Sequence, residues 1–391
     1  MSHYSIMNIF LMVFVGCFTM GEARPPCPCS DPKFCQPINN LGSPSDVPRR
    51  EVFIFSLSKT NWKLYDWDKV TTVVMVGYYN PELLCYAHSK GARAVAIANI
   101  PKSNLTSPVL REAWIQKEIK YIQDNYLDGV NVDFEDAIEK DDDKTRDGLT
   151  ALMKGLYNGL KHLNQNYQVT FDVPWAPYCI DGRCFDINGL ATYTDFLFVM
   201  SYDERSQIPY ECIAWANSAI NTTKFGLMQY IQKYSLEPSR LVLGVPWYGY
   251  HYPCEKLVGN KCYIKKVPFR DVNCSDAAGR EINQDTIRDF LLYNTTTKTP
   301  LWDDIAKSPY FTYHATDGSP YQIWYDNPRS LTLKYDFVDQ LGLHGVGMWN
   351  ADALDYSLTP VGEKQRKEMW GALPNYSPRK QENDSNDIPD I

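Results

Sequence analysis

The stretch Leu127-Asp128-Gly129-Val130-Asn131-Val132-Asp133-Phe134-Glu135 holds two interleaved sets of side chains. In an extended strand successive side chains point to opposite faces. Val130, Val132 and Phe134 therefore share one face, and Asn131, Asp133 and Glu135 share the other. The apolar set suits packing beneath outer helices. The polar set then points into the interior of a closed sheet, near the strand's C-terminal end, where (β/α)8 barrels carry their chemistry. The acidic residues further on, Asp136, Glu139 and Asp141–Asp143, lack this alternation and read as a solvated charge run.

Seven other runs have the same apolar, β-branched character: Glu51–Ser56, Thr72–Gly77, Ala92–Ala98, Gln168–Val173, Phe196–Tyr202, Leu241–Trp247 and Gly345–Trp349. With Gly129–Phe134 they make eight candidate strands, many of them apolar on both faces, as buried parallel strands are. Helical spacing of apolar residues marks Pro108–Tyr126 (Ala113, Ile115, Ile119, Ile122, Tyr126) and Lys144–Leu163 (Leu149, Leu152, Met153, Leu156, Leu160). Strand–helix alternation predicts a parallel sheet, and eight strands predict its closure. The expected fold is α/β, a (β/α)8 TIM barrel spanning 24–373. A doubly wound open sheet is the runner-up, but no Gly-rich phosphate loop follows an early strand. The long interval between Trp247 and Gly345 predicts an insertion in the loop after the seventh strand, at about 251–322, with the crossover helix resuming near Pro328–Leu341.

The ends have their own signatures. Ile9–Cys17 is an apolar run too short to span a bilayer. Small residues follow at Gly21 and Ala23, so 1–23 reads as a signal peptide even though no Lys or Arg precedes the run. The segment 374–391 is polar and expected to be a disordered tail. Of 11 Cys, Cys17 leaves with the signal, and the remaining even number suits disulfides in an oxidising compartment. Cys179 with Cys184, and Cys254 with Cys262, could each close a short loop; the pairing is otherwise open. No His lies near Cys27, Cys29 and Cys35, which favours disulfides there over a metal. Asn104, Asn221, Asn273, Asn294, Asn375 and Asn383 begin glycosylation sequons. The net charge of −8, with both signs mixed along the chain, speaks against a nucleic-acid partner. The aromatic share of 14%, with 27 Tyr and 10 Trp, suits either an aromatic-rich core or a cleft with flat platforms for sugar rings.

Burying two carboxyls two residues apart is costly, because each loses hydration and each repels the other's charge. At least one should hold a proton at neutral pH, as a general acid requires. Glu135 lies nearest the strand's end and reaches farthest, so it is the expected acid. Asp133, deeper and shorter, is expected to tune it by holding or sharing a proton.

Asp128-Gly129-Val130-Asn131-Val132-Asp133-Phe134-Glu135 resembles the active-site signature of glycoside hydrolase family 18, the chitinase family, whose pattern is Asp-Gly-x-Asp-x-Asp-x-Glu. Asn131 stands where that pattern has its first spaced Asp. Asn131 cannot take a charge, but it can hydrogen-bond Asp133 as a neutral partner. Phe198-Val199-Met200-Ser201-Tyr202-Asp203 is similar to the family's Met-x-Tyr-Asp motif. Gly244-Val245-Pro246-Trp247-Tyr248-Gly249 resembles its seventh strand, and Gly345-Val346-Gly347-Met348-Trp349 resembles its eighth. A narrower resemblance, to a lysosomal branch of the family, is carried by Asn131, Cys27-Pro28-Cys29, Cys85-Tyr86-Ala87-His88-Ser89-Lys90-Gly91, Met200-Ser201-Tyr202-Asp203-Glu204 and Gln322-Ile323-Trp324-Tyr325-Asp326-Asn327-Pro328.

The resemblance implies a glycosidase that cleaves the GlcNAc-β-1,4-GlcNAc linkage of the chitobiose core in oligosaccharides from degraded N-glycoproteins and releases reducing-end GlcNAc. It implies a retaining mechanism in which the substrate's own acetamide is the nucleophile. Glu135 would be the proton donor, with Asp133, Tyr202 and Asp203 assisting. Asn131, Met200, Trp247, Tyr248 and Trp349 would bind substrate, with Trp349 as the floor. No metal or organic cofactor is required. The expected partner is a chito-oligosaccharide or N-glycan core, with no nucleic acid and no membrane, and the chain is expected to be a monomer. The expected location is the lysosome, reached through the secretory pathway, or alternatively outside the cell. An endochitinase, an endo-β-N-acetylglucosaminidase or an inactive chitinase-like lectin are the competing readings.

Overall fold

A computed structural model describes residues 24–38 and 50–376. The signal peptide expected at 1–23, most of the tail expected at 374–391, and the sequon at Asn383 lie outside these residues. Eight parallel strands close into a barrel: β1 (Glu51–Ser56), β2 (Thr72–Met75), β3 (Arg93–Ala98), β4 (Gly129–Val132), β5 (Gln168–Pro174), β6 (Phe196–Met200), β7 (Leu241–Pro246) and, after an insertion, β15 (Gly345–Trp349). The barrel closes between β1 and β15, where Glu51 pairs with Gly345 and Ile54 with Met348. Each of the eight sequence runs becomes one of these strands, which gives the α/β (β/α)8 barrel expected.

The helices form where local chemistry starts them. Helices α1 (Pro81–Ser89), α3 (Pro108–Asp124), α8 (Pro328–Leu341) and α9 (Pro360–Ala372) each open with proline directly after a capping side chain: Asn80, Ser107, Asn327 and Thr359. Proline there gives up only an amide that the first turn leaves unused, and the cap oxygen accepts from the next amides. The intervening helices are α2 (Lys102–Leu105), α4 (Asp143–Leu163), α5 (Ile187–Thr192), α6 (Ile220–Gln232) and α7 (Gln284–Asn294). In α3 the buried face is Trp114, Ile115, Ile119 and Ile122, while Ala113, one of the residues that suggested the helix, is exposed.

Aromatic side chains fill the barrel. Phe53 meets Phe196 at 5.4 Å and Phe198 at 5.7 Å, and Phe55 meets Phe198 at 5.1 Å and Trp349 at 5.4 Å. Rings this large need missing side chains opposite. A Cβ at Gly244 would stand 2.3 Å from the Phe198 ring, and one at Gly347 would stand 2.6 Å from it. Below the rings lies a polar layer, in which Arg93 donates to Glu51 at 3.0 Å and Gln168 donates to the same carboxylate at 3.3 Å.

Between β7 and β15 the chain builds a second sheet. Strands β8 (Gly249–Pro253), β11 (Arg280–Ile282), β12 (Leu301–Asp303), β13 (Ser308–His314) and β14 (Pro320–Trp324) form it in the order β11-β8-β14-β13-β12, antiparallel throughout. Strands β9 (Lys256–Val258) and β10 (Lys261–Tyr263) form a separate hairpin. Helix α7 packs on this sheet with its own small core of Ile282, Ile287, Phe311, Tyr313, Ile323 and Tyr325.

All ten cysteines among the described residues are paired: Cys27–Cys35, Cys29–Cys85, Cys179–Cys184, Cys212–Cys274 and Cys254–Cys262. The sulfurs of Cys27, Cys29 and Cys35, which lie close together, are thus consumed and offer no thiolate to a metal. Asn221, Asn273, Asn294 and Asn375 are exposed, and Asn104 is half-buried.

Candidate active site

The C-terminal ends of β4, β5, β6 and β15 surround a cavity of about 220 Å³. Its lining includes Asp133 and Glu135 beyond β4, Asp172 and Pro174 on β5, Met200, Tyr202 and Asp203 at the end of β6, and Trp349 on β15. The alternation that singled out residues 131–135 survives folding. Val130, Val132 and Phe134 are buried on the outer side, with the Phe134 ring 6.1 Å from that of Phe185.

The two carboxyls after β4 sit in different surroundings. Asp133 is buried, and its amide donates to the Ala98 carbonyl at 2.9 Å. Burial, and then the charge of Glu135, push its carboxyl up to about 7, against the pull of Arg183. Glu135 stands further out, its side chain 48% exposed and paired with the guanidinium of Arg183. Arg183 also donates from Nε to the Glu135 carbonyl at 3.2 Å. The burial that was expected to favour a proton on the pair therefore acts on the deeper Asp133.

Beyond β6 the backbone turns sharply, with Asp203 at φ 49°. Its amide donates to Asn217 Oδ1 at 2.8 Å, and its Oδ1 accepts from the Tyr248 hydroxyl at 2.6 Å. Burial raises the Asp203 carboxyl to about 6, with the Tyr248 hydrogen bond pulling the other way. Tyr202 is buried beside Tyr248, and its phenol is raised well above its ordinary value by burial and by the surrounding carboxylates Asp172, Asp133, Glu135 and Asp203. It therefore remains a neutral hydroxyl donor.

Three residues expected at the substrate do not line the cavity. Trp247 is fully buried on the helix side of the barrel, its ring edge-on to Trp370 at 5.0 Å and its Nε1 donating to the Tyr335 hydroxyl at 3.3 Å. The strand ends at Pro246, so the next side chain leaves toward α8 and α9. Tyr248 lies behind Asp203 and supports it. Asn131 lies under the floor, where it bonds sideways to β5, to Thr170 at 2.6 Å and Asp172 at 2.8 Å, rather than forward to Asp133.

Sequence reasoning missed Asp172, Trp175, Asp181, Arg183 and Glu281, all of which line the cavity. Asp172 was visible in the alternation of β5, where Gln168, Thr170 and Asp172 share one face and Val169, Phe171 and Val173 the other. Arg183 is held by the Cys179–Cys184 loop. Glu281 comes from β11 in the insertion, which the sequence did not connect to the site.

A fold with eight parallel strands and a carboxyl-lined cavity at their C-terminal ends has the layout of a (β/α)8-barrel enzyme, and comparison with known proteins gives its class. Residues 102–353 match the model of glycosyl hydrolases family 18, and the chain belongs to that family. It is a glycoside hydrolase. Over 348 residues it is 44% identical to di-N-acetylchitobiase of Mus musculus, covering 89% of this chain and 92% of that protein. The Homo sapiens di-N-acetylchitobiase is also 44% identical over 348 residues, covering 89% and 88%. Among solved structures, the chitinase from Chromobacterium violaceum superposes with a TM-score of 0.65 at 18% identity, covering 84% of this chain and 98% of that one, which supports the shared fold.

Proposed function

We propose that this glycoside hydrolase cleaves the β-1,4 linkage between two N-acetylglucosamine residues of a chitobiose core and releases the reducing-end sugar. The observation that carries the reading is the meeting of Asp133, Glu135, Tyr202, Asp203 and Trp349 around one cavity. The names of the relatives, di-N-acetylchitobiases over most of the chain, point to the same substrate.

Glu135, the outermost carboxyl of the pair, protonates the glycosidic oxygen as the C1–O bond breaks. The 2-acetamido oxygen attacks C1 from the opposite side and closes an oxazolinium ring. Ionised Asp133 accepts from the acetamide N–H and balances the positive charge, and Tyr202 donates to the acetamide oxygen. The Glu135 carboxylate left behind then takes a proton from water, which opens the ring with overall retention. An internal nucleophile held in this way has a large effective concentration. Trp349 presents an apolar face to the sugar ring, and Arg183 fixes the position of the Glu135 carboxyl. No metal or cofactor takes part in this scheme. A location in the lysosome, or outside the cell, agrees with the disulfides and exposed sequons.

Glu135→Gln tests the assignment. The purified variant should bind a chito-oligosaccharide and lose about 10³-fold in kcat, in line with general-acid catalysis. Retention of most of the turnover would remove Glu135 from the role. In the same assay, substrates with a free 2-amino group should be refused, and their efficient cleavage would exclude acetamide assistance.

A further inference from the structure

On β4 and β5, Val132 pairs with Phe171. Asp133 stands one residue beyond the first and Asp172 one residue beyond the second, so the two carboxyls project side by side from adjacent strands toward the barrel interior. Asp172 is buried to 3% exposure. Asn131 sits next to it on β4. The hydrogen bond from Thr170 to Asn131 Oδ1 orients the amide, so that Nδ2 donates to Asp172 Oδ2 at 2.8 Å. That leaves Asp172 Oδ1 free to carry a proton. Among the described residues, Asp172 Oδ1 and Asp133 Oδ1 are both buried without a hydrogen-bond partner. Two such acceptors are costly apart, and one proton between them satisfies both. The other titratable groups facing this pair are Glu135 beyond β4, Arg183 from the Cys179–Cys184 loop and Tyr202 beyond β6.

We propose that Asp172 is a positioning residue that holds one proton on Oδ1 and donates a hydrogen bond to Asp133 Oδ1, supplying from the neighbouring strand the acidic partner that Asn131 cannot be. Two carboxylates this close do not both ionise readily. Asp172 is the one to keep the proton. Burial first, and then the charge of Asp133, push its carboxyl well above the usual carboxylate range; burial and Glu135 raise Asp133 as well, to about 7, but there Arg183 pulls the other way. The donated hydrogen bond keeps Asp133 ionised for the acetamide N–H, so the catalytic part of the proposal rests on the role given to Asp133 above.

Two variants separate the alternatives. Asp172→Asn keeps a donor toward Asp133 and an acceptor toward Asn131, whereas Asp172→Leu keeps the bulk and neither group. The acid limb of kcat/KM, where Asp133 must lose its proton, should stay in place in Asp172→Asn. In Asp172→Leu it should move up by about one pH unit, with kcat about ten- to hundredfold lower, the worth of a hydrogen bond to a charged group, and KM little changed. A limb that moves down in both variants would show Asp172 to be the charged member, and limbs and kcat values equal to those of the unmodified enzyme in both would show it to be structural only; either result overturns the proposal. Infrared spectra of the substrate-free protein provide a readout independent of activity and of the folding of Asp172→Leu. Other buried acids also hold protons at neutral pH, so the readout is the difference spectrum between the unmodified protein and Asp172→Asn. Loss of one protonated-carboxyl C=O band in that difference supports the proposal. A difference spectrum without that band overturns it. Because this band needs no substrate, failure of the chitobiose assignment would leave it standing.

Discussion

Tyr248 shows how a residue outside the cavity can set the chemistry inside it. Its buried hydroxyl donates to Asp203 at 2.6 Å and lowers a carboxyl that burial would otherwise push further above about 6. Tyr248→Phe fills the same space without the donor. The Asp203 carboxyl should then rise, and the acid limb of kcat/KM should move to higher pH, because more alkali is needed to ionise it. The variant should also lose about 1–3 kcal/mol of stability for the buried hydrogen bond to a carboxylate that is removed. A pH–rate profile that superposes on that of the unmodified enzyme would show that Asp203 does not titrate in turnover. At this scale the sequence was partly legible. Strict alternation announced Asp133 and Glu135, because a strand's two faces are written in its own residues. Trp247 could not be placed that way, since the strand stops at Pro246 and parity stops with it. Asp172 carries the same alternation on β5, but its partners, Asn131 and Asp133, lie on another strand, and no one-dimensional pattern joins them.

Single elements were easier to read than the contacts between them. Glu51–Ser56 and Gly345–Trp349 emerged with their bounds unchanged, because buried parallel strands are uninterrupted apolar runs. The insertion was visible as an interval, but its sheet was not, since strands as short as Arg280–Ile282 and Leu301–Asp303 leave no period to detect. The loop after β5 is another such element. The Cys179–Cys184 bridge spans only 5 positions, yet the loop brings Ile180, Asp181 and Arg183 to the cavity wall. A short closed loop restrains the unfolded chain little, so replacing both cysteines by serine should cost about 2 kcal/mol and about 3 °C in Tm. KM should rise several-fold as Arg183 loses its setting. The Cys29–Cys85 bridge, with a separation of 56, ties the N-terminal segment to α1, which contributes no residue to the cavity lining. Its removal should cost about 4 kcal/mol while leaving KM unchanged. Calorimetry and steady-state kinetics on the two double variants check the contrast, and the same ranking in Tm and KM would refute it.

Across the whole molecule, closing the barrel gathers acids that the net charge of the chain does not reveal. Burial raises Asp133, Asp276 and Glu281 to about 7, Asp203 to about 6 and Glu204 to about 8, and Asp172 is raised as well. Unfolded, these groups titrate near 4. For an acid raised on folding, the native chain binds the extra proton. Its stabilising contribution is complete below the unfolded value and is lost as pH rises through the folded one. His88 acts in the same sense. Burial opposes its charge, but Asp128, at 2.7 Å, and the Phe34 carbonyl raise it on balance. His251, lowered by burial to about 4, and His344, also lowered by burial, act in the opposite sense as pH falls below their unfolded value near 6.5. These six acids, with Glu118 raised in the same sense, and His88 outweigh the two histidines, and the acids lowered on folding, such as Asp355, act only at lower pH. Stability should therefore be greatest in mildly acidic solution and decline between about pH 6 and 8. Differential scanning calorimetry at constant ionic strength should give a Tm about 5 °C higher at pH 5.5 than at pH 8. A Tm that is level or rises over that interval would mean that these carboxyls are hydrated in the folded protein, and the cavity would then be wetter than the buried Asp133 and Asp172 require.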